Sequence, residues 1–108
     1  EEAGDEEMLF FSNELRRRRD LMSAELSRLP QLRFVRPTGG MFCFVDVSAT
    51  GLSGTQFAER LFAAEGLAVV PGVAFGPNMH SFIRLSFSGA EDLIAKGLGR
   101  LRRFCEAL

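Results

Sequence analysis

The chain has 108 residues, 46% hydrophobic and 25% charged, ordinary globular values that exclude a disordered or fibrous chain and allow one domain with a modest core. Its net charge of −1 supplies no basic field for nucleic acid or an anionic membrane. No stretch approaches the roughly 18–20 apolar residues a membrane span needs, and no signal-peptide pattern opens the sequence, so a cytoplasmic protein is expected.

Glu1 to Glu7 hold five acidic residues and run into helical pattern without an initiator Met, as a fragment would. Phe11, Leu15, Met22, Leu26 and Leu29 form one helical stripe. Arg16 to Arg19 cover the other faces as a solvated side interleaved with Glu14 and Asp20, and Pro30 marks the exit. Starting near Asp5, this helix runs about 25 residues and about 37 Å. That length overhangs a core this small, as if another domain rested on its first half.

Leu32 to Arg36 reads as a short edge strand closed by the turn Pro37-Thr38-Gly39-Gly40. Met41 to Val47 is a nearly all-apolar strand, expected to be buried on both faces. Ser53-Gly54-Thr55-Gln56 has the form of a capping box opening a helix with the stripe Phe57, Leu61 and Phe62, ending near Gly66. Leu67 to Val70 is a short strand stopped by Pro71-Gly72, and Pro71 to Asn78 is a loop of definite shape.

Phe82 to Phe87 is the last strand. Ser88-Gly89-Ala90-Glu91 reads as a second capping box, and Leu93, Ile94, Leu98, Leu101, Cys105 and Leu108 form the stripe of the closing helix. The order α-β-β-α-β-β-α predicts an α/β (α+β) two-layer sandwich: a small, mostly antiparallel sheet with helices packed on one face. Residues 1–108 are expected to be a single domain, with a long helix over about 5–29 and an α/β body over 32–108.

Cys43 and Cys105 are the only cysteines, without CxxC or metal-ligand spacing. Both read as small buried hydrophobes of a reducing compartment, and no metal site is expected. His80, the only histidine, lies in a loop without a partner motif, and Asp46 ends a strand where it faces solvent or caps a turn. Phe42 to Val47 compares poorly with the aromatic strand of an RNA-recognition motif, because no Lys/Arg-Gly precedes the first Phe.

Arg84 is the most informative position. Alternation along Phe82-Ile83-Arg84-Leu85-Ser86-Phe87 sends Ile83, Leu85 and Phe87 to one face and Phe82, Arg84 and Ser86 to the other. A strand arginine flanked by apolar residues must reach water or meet an anion. Its planar fork matches a carboxylate through two parallel hydrogen bonds. Periodicity alone favours a solvated arginine on an open sheet face.

Three segments in order carry a family resemblance: Pro37-Thr-Gly-Gly-Met-Phe42, Val69-Val-Pro-Gly-Val-Ala-Phe-Gly-Pro77 and Phe82-Ile-Arg-Leu-Ser-Phe87. Arg16-Arg-Arg-Arg-Asp-Leu-Met22 and Leu101-Arg-Arg-Phe104 add to them. From about Glu14 to Ala107 the chain resembles the C-terminal small domain of fold-type I, aspartate aminotransferase-like, pyridoxal-phosphate-dependent aminotransferases. The resemblance implies that Arg84 binds the substrate α-carboxylate. It places Phe42 toward the substrate, though a plain core phenylalanine is an equal reading. Gly39 and Gly40 let the backbone come close to the site, or simply turn a hairpin.

The resemblance also implies amino acid and 2-oxo acid substrates, a homodimer, and pyridoxal 5′-phosphate held by a large domain of the same protein. That domain supplies the Schiff-base lysine. Lys96, the sole lysine here, lies on the closing helix away from that motif, so the chain by itself is expected to be inactive, with no catalytic or cofactor-binding residue of its own. Two other readings stay open: a ferredoxin-like or ACT-like module that binds small molecules without reacting, and a pyridoxal-phosphate lyase or synthase on the same scaffold.

Overall fold

The computed structural model describes residues 2–34, 42–86 and 90–108, with side chains from residue 13 onward. Elements follow in the expected order: α1 (Glu2–Leu26), β1 (Arg33–Phe34), β2 (Phe42–Asp46), α2 (Gly54–Glu65), β3 (Val70–Pro71), β4 (Phe82–Ser86) and α3 (Glu91–Glu106). The four strands form one sheet in the order β1-β2-β4-β3, and every pairing is antiparallel. This is the α/β two-layer architecture expected from the pattern.

The core lies on one face of the sheet. Cys43 and Val45 of β2 and Ile83 and Leu85 of β4 point into it. Met22 and Leu26 of α1, Phe57 and Leu61 of α2, and Ile94, Leu98, Leu101, Phe104 and Cys105 of α3 complete it. Phe57 meets Phe104 edge-on, with ring centroids 5.1 Å apart, the geometry aromatic quadrupoles favour. Because all three helices pack on this face, the other is open. Phe42 and Phe44 are therefore exposed, and β2 is not buried on both faces as its apolar run predicts.

Local chemistry sets several element ends. Ser53 Oγ accepts from the Gln56 amide and Gln56 Oε1 accepts from the Ser53 amide, both at 3.1 Å, a complete capping box. Gly66 closes α2 at φ 69°, where a side chain would be strained. The first helix ends at Leu26, three residues short of the expected end. Arg28 and Leu29 bond back three residues rather than four, as Pro30 disfavours helical geometry at the residue before it.

Other expectations are corrected. Phe62 is exposed, because five residues beyond Phe57 it lies about 140° around the helix. On α3, Leu93 is exposed while Phe104 is buried, and Leu108 lies beyond the last turn, exposed. The residue before α3 is Ala90, with no side-chain cap; Ser88 lies outside the described residues, as do Phe87, Gly39 and Gly40, and the Phe11 side chain. Glu91 and Asp92 still place negative charge in the first turn, against the positive end of the helix dipole.

Only Val70 and Pro71 of the third strand pair with β4; Leu67 to Val69 are unpaired. Between them and Leu85 opens a cavity of about 320 Å³ lined by Val69, Met22, Ile94, Leu98 and Leu101. Arg16 and Arg17 are solvated as expected, with Arg17 bridging Glu14 of its own helix and Glu91 of α3. Arg18 is largely covered, its side chain 17% exposed and 3.5 Å from Glu14. Cys43 and Cys105 are free, buried thiols as expected.

Candidate functional site

The open face of the sheet assembles the site. β4 is an inner strand, so Arg84 is flanked by Phe44 of β2 on one side and Val70 of β3 on the other. Strand alternation buries Ile83 and Leu85 and leaves Arg84 half-buried on the opposite face. Its guanidinium carbon lies 4.0 Å from the centre of the Phe42 ring and 4.7 Å from that of Phe75. Both distances are within the range of attraction between a cation and an aromatic face. Phe44 meets Phe75 edge-on at 5.5 Å.

Phe75 comes from the segment between β3 and β4, which is two successive turns, Gly72–Phe75 and Pro77–Met79. The segment is pinned against β4 and α2. A side chain at Gly72 would meet the Met79 carbonyl oxygen at 2.3 Å and the Phe82 carbonyl oxygen at 2.7 Å. The Gly54 amide donates to the His80 carbonyl at 2.7 Å, and a side chain at Gly54 would come within 2.0 Å of the Phe82 carbonyl oxygen. Only glycine admits such close backbone approach.

Charge at the site is unbalanced. Among the described residues, no ion pair involves Arg84. Asp46, at the far end of β2, is turned into its own chain: its Oδ1 accepts from the Ser48 amide at 2.9 Å. That hydrogen bond, with help from Arg33, holds its carboxyl below the usual range. Among the described residues the guanidinium thus has no protein anion, which suits its fork to an external carboxylate.

Of the residues expected at a site, Arg84 and Phe42 are brought together, while Gly40 lies outside the described residues. His80 is exposed, as expected, and contributes only its backbone carbonyl. Lys96 is exposed on α3, which packs on the other face of the sheet. Among the described residues no group of His, Cys, Asp or Glu is placed to hold a metal ion, and no helix is long and apolar enough to cross a membrane. Sequence reading missed Phe44 and Phe75. The first shares the face of Phe42 by alternation, which could have found it; the second lies in a loop given no contacts.

No family model matches the chain. Known proteins do. An arginine–pyruvate transaminase of Pseudomonas aeruginosa is 51% identical over 79 residues, covering 72% of this chain and 20% of its own length. An aspartate/prephenate aminotransferase of Thermus thermophilus is 41% identical over 88 residues, covering 82% and 22%. Among solved structures, an aromatic aminotransferase of Pyrococcus horikoshii superposes with a TM-score of 0.93 at 28% identity, over 99% of this chain and 28% of that one. The chain belongs to the fold-type I aminotransferases, as a C-terminal portion. It spans about a fifth to a quarter of the length of the relatives it matches. This aminotransferase portion overlays the T. thermophilus aspartate aminotransferase solved with maleate at a TM-score of 0.85, with 36% identity over 94% of the chain and 26% of that enzyme.

Proposed function

We propose that the full-length protein transfers an amino group between an amino acid and a 2-oxo acid, as a pyridoxal-phosphate-dependent homodimer in the cytoplasm, and that this chain supplies its α-carboxylate clamp. The observation that carries the reading is Arg84: a half-buried guanidinium on an inner strand, with aromatic rings against it and no ion pair among the described residues, whose N–H fork suits a carboxylate. The relatives' names differ in side chain, from arginine to aspartate to aromatic amino acids. What such substrates share is the α-amino carboxylate, so a site reading only that group serves all of them.

Residues 1–108 form the small domain in this reading, and the first half of α1 reaches toward a large domain outside the chain. Pyridoxal phosphate supplies an electron sink for the substrate amine, yet the residues present here do not fit a site for it. Lys96, the one lysine, stands behind the sheet from Arg84, so the cofactor belongs to the rest of the protein and the chain by itself is inactive. Arg84 contributes by orientation. Two parallel hydrogen bonds to the carboxylate fix the substrate Cα relative to whatever reacts with it, and the exposed aromatic rings exclude water from that contact once covered.

The test is direct. Purified full-length protein, supplied with pyridoxal phosphate, is assayed with a panel of L-amino acids against pyruvate and 2-oxoglutarate, following the new amino acid and new oxo acid by mass spectrometry. Stoichiometric exchange is expected, with arginine and pyruvate among the first pairs to try. Loss of the amino group without an acceptor, or no turnover of any pair, overturns the assignment.

A further inference from the structure

A strand fixes only the first atoms of an arginine side chain. The Arg84 guanidinium lies several rotatable bonds from β4, so contacts must decide where its donors point. The structure assigns that task to Phe75: we propose that it is a positioning residue, which, backed by Phe44, holds the Arg84 guanidinium so that its N–H edge meets the substrate carboxylate. The proposal rests on the carboxylate-clamp reading above and adds a residue to it.

Three observations support it. The Phe75 ring lies 4.7 Å from the guanidinium carbon, complementing Phe42 at 4.0 Å. Aromatic rings engage the faces of a guanidinium, whereas a carboxylate is bound at its edge, so the two contacts do not compete. Phe75 is itself held from behind. Phe44, the residue directly opposite Arg84 across the β2–β4 ladder, presses on it at 5.5 Å with ring planes 86° apart. The loop carrying Phe75 is also fixed, by the close approach of Gly72 to Met79 and Phe82 and by the turn bonds Gly76 N–H to Val73 O and Met79 N–H to Gly76 O. Arg84, Phe75 and Phe44 thus close a ring of contacts that joins the loop to the strand.

The experiment uses full-length holoenzyme and the proteinogenic L-amino acid that the wild type converts fastest, compared with the amine of the same side chain, which lacks the carboxylate. The readout is the ratio of the two single-turnover efficiencies, with the thermal midpoint as a folding control. Phe75→Leu is expected to lower the preference for the amino acid about tenfold while leaving the amine unaffected. Phe75→Tyr, which keeps the ring face, is expected to stay within about threefold of wild type. A role in packing alone would depress amino acid and amine together and leave the ratio unchanged, overturning the proposal. Arg84→Leu separates the two levels. If it abolishes the preference and Phe75→Leu does not touch it, the positioning role is wrong and the clamp stands. If Arg84→Leu leaves the preference intact, both fail.

Discussion

Replacing Arg84 by leucine in the full-length enzyme removes the donors and keeps an apolar side chain against Phe42 and Phe75. Because Arg84 makes no ion pair among the described residues, folding should survive, and the melting temperature should change little. The functional loss should be large. A hydrogen bond to a charged group contributes about 1.5–3 kcal/mol, so the two from a carboxylate fork contribute about 3–6 kcal/mol. At about 1.4 kcal/mol per factor of ten, kcat/KM for an L-amino acid falls by about a hundredfold to ten-thousandfold. Arg84→Lys keeps the charge but loses the planar fork, and should fall between the two. Initial rates across substrate concentration, with circular dichroism melts alongside, measure both quantities. A leucine variant with wild-type kcat/KM and an unchanged melt would show that this guanidinium does not hold substrate.

Close contacts and buried groups carry the remaining predictions. Gly54→Ala drives a methyl into the Phe82 carbonyl and should cost about 1–3 kcal/mol. Gly99→Ala, with nothing within 4 Å, should be neutral or stabilise by up to about 1 kcal/mol; melts of the two full-length variants that move in the same direction would refute the packing argument. Burial pushes the Cys43 and Cys105 thiols up to about 11, so both should resist a thiol reagent at neutral pH until denaturant is added. Their folded values lie above the ordinary 9.0, so the folded state retains these protons longer. The stability they contribute is full below about pH 9 and is lost as pH rises toward 11. Alkaline melts of Cys43→Ala and Cys105→Ala should show a shallower decline than wild type.

What was legible in the sequence divides by the range of the interactions involved. The start and end of α2 are written in neighbouring residues: Ser53 and Gln56 exchange hydrogen bonds three positions apart, and Gly66 stops the helix by its own backbone freedom. The alternation of β4 likewise needs only adjacent residues, and it sets Arg84 on the face opposite Ile83 and Leu85. Spacing failed where an apolar residue had no layer to cover it. Phe42 and Phe44 sit in a run as hydrophobic as any buried strand, and a sequence does not display which sheet face the helices take. Here all three helices take the Cys43 and Val45 face, which leaves the two phenylalanines in the open.

The same two residues then gain a role that no local pattern could announce, because it depends on register. Phe44 stands opposite Arg84 only because β2 and β4 pair across some forty residues of intervening chain, and Phe75 joins them only because the Gly72 turns fold the loop back. A misjudged core strand and an unassigned loop are therefore one error, the omission of the aromatic wall around a correctly placed cation. That wall explains how a residue on an open sheet can hold a defined geometry. The strand sets the origin of the Arg84 side chain, and in the proposed clamp the rings set its direction, so that a substrate carboxylate would meet donors already aligned.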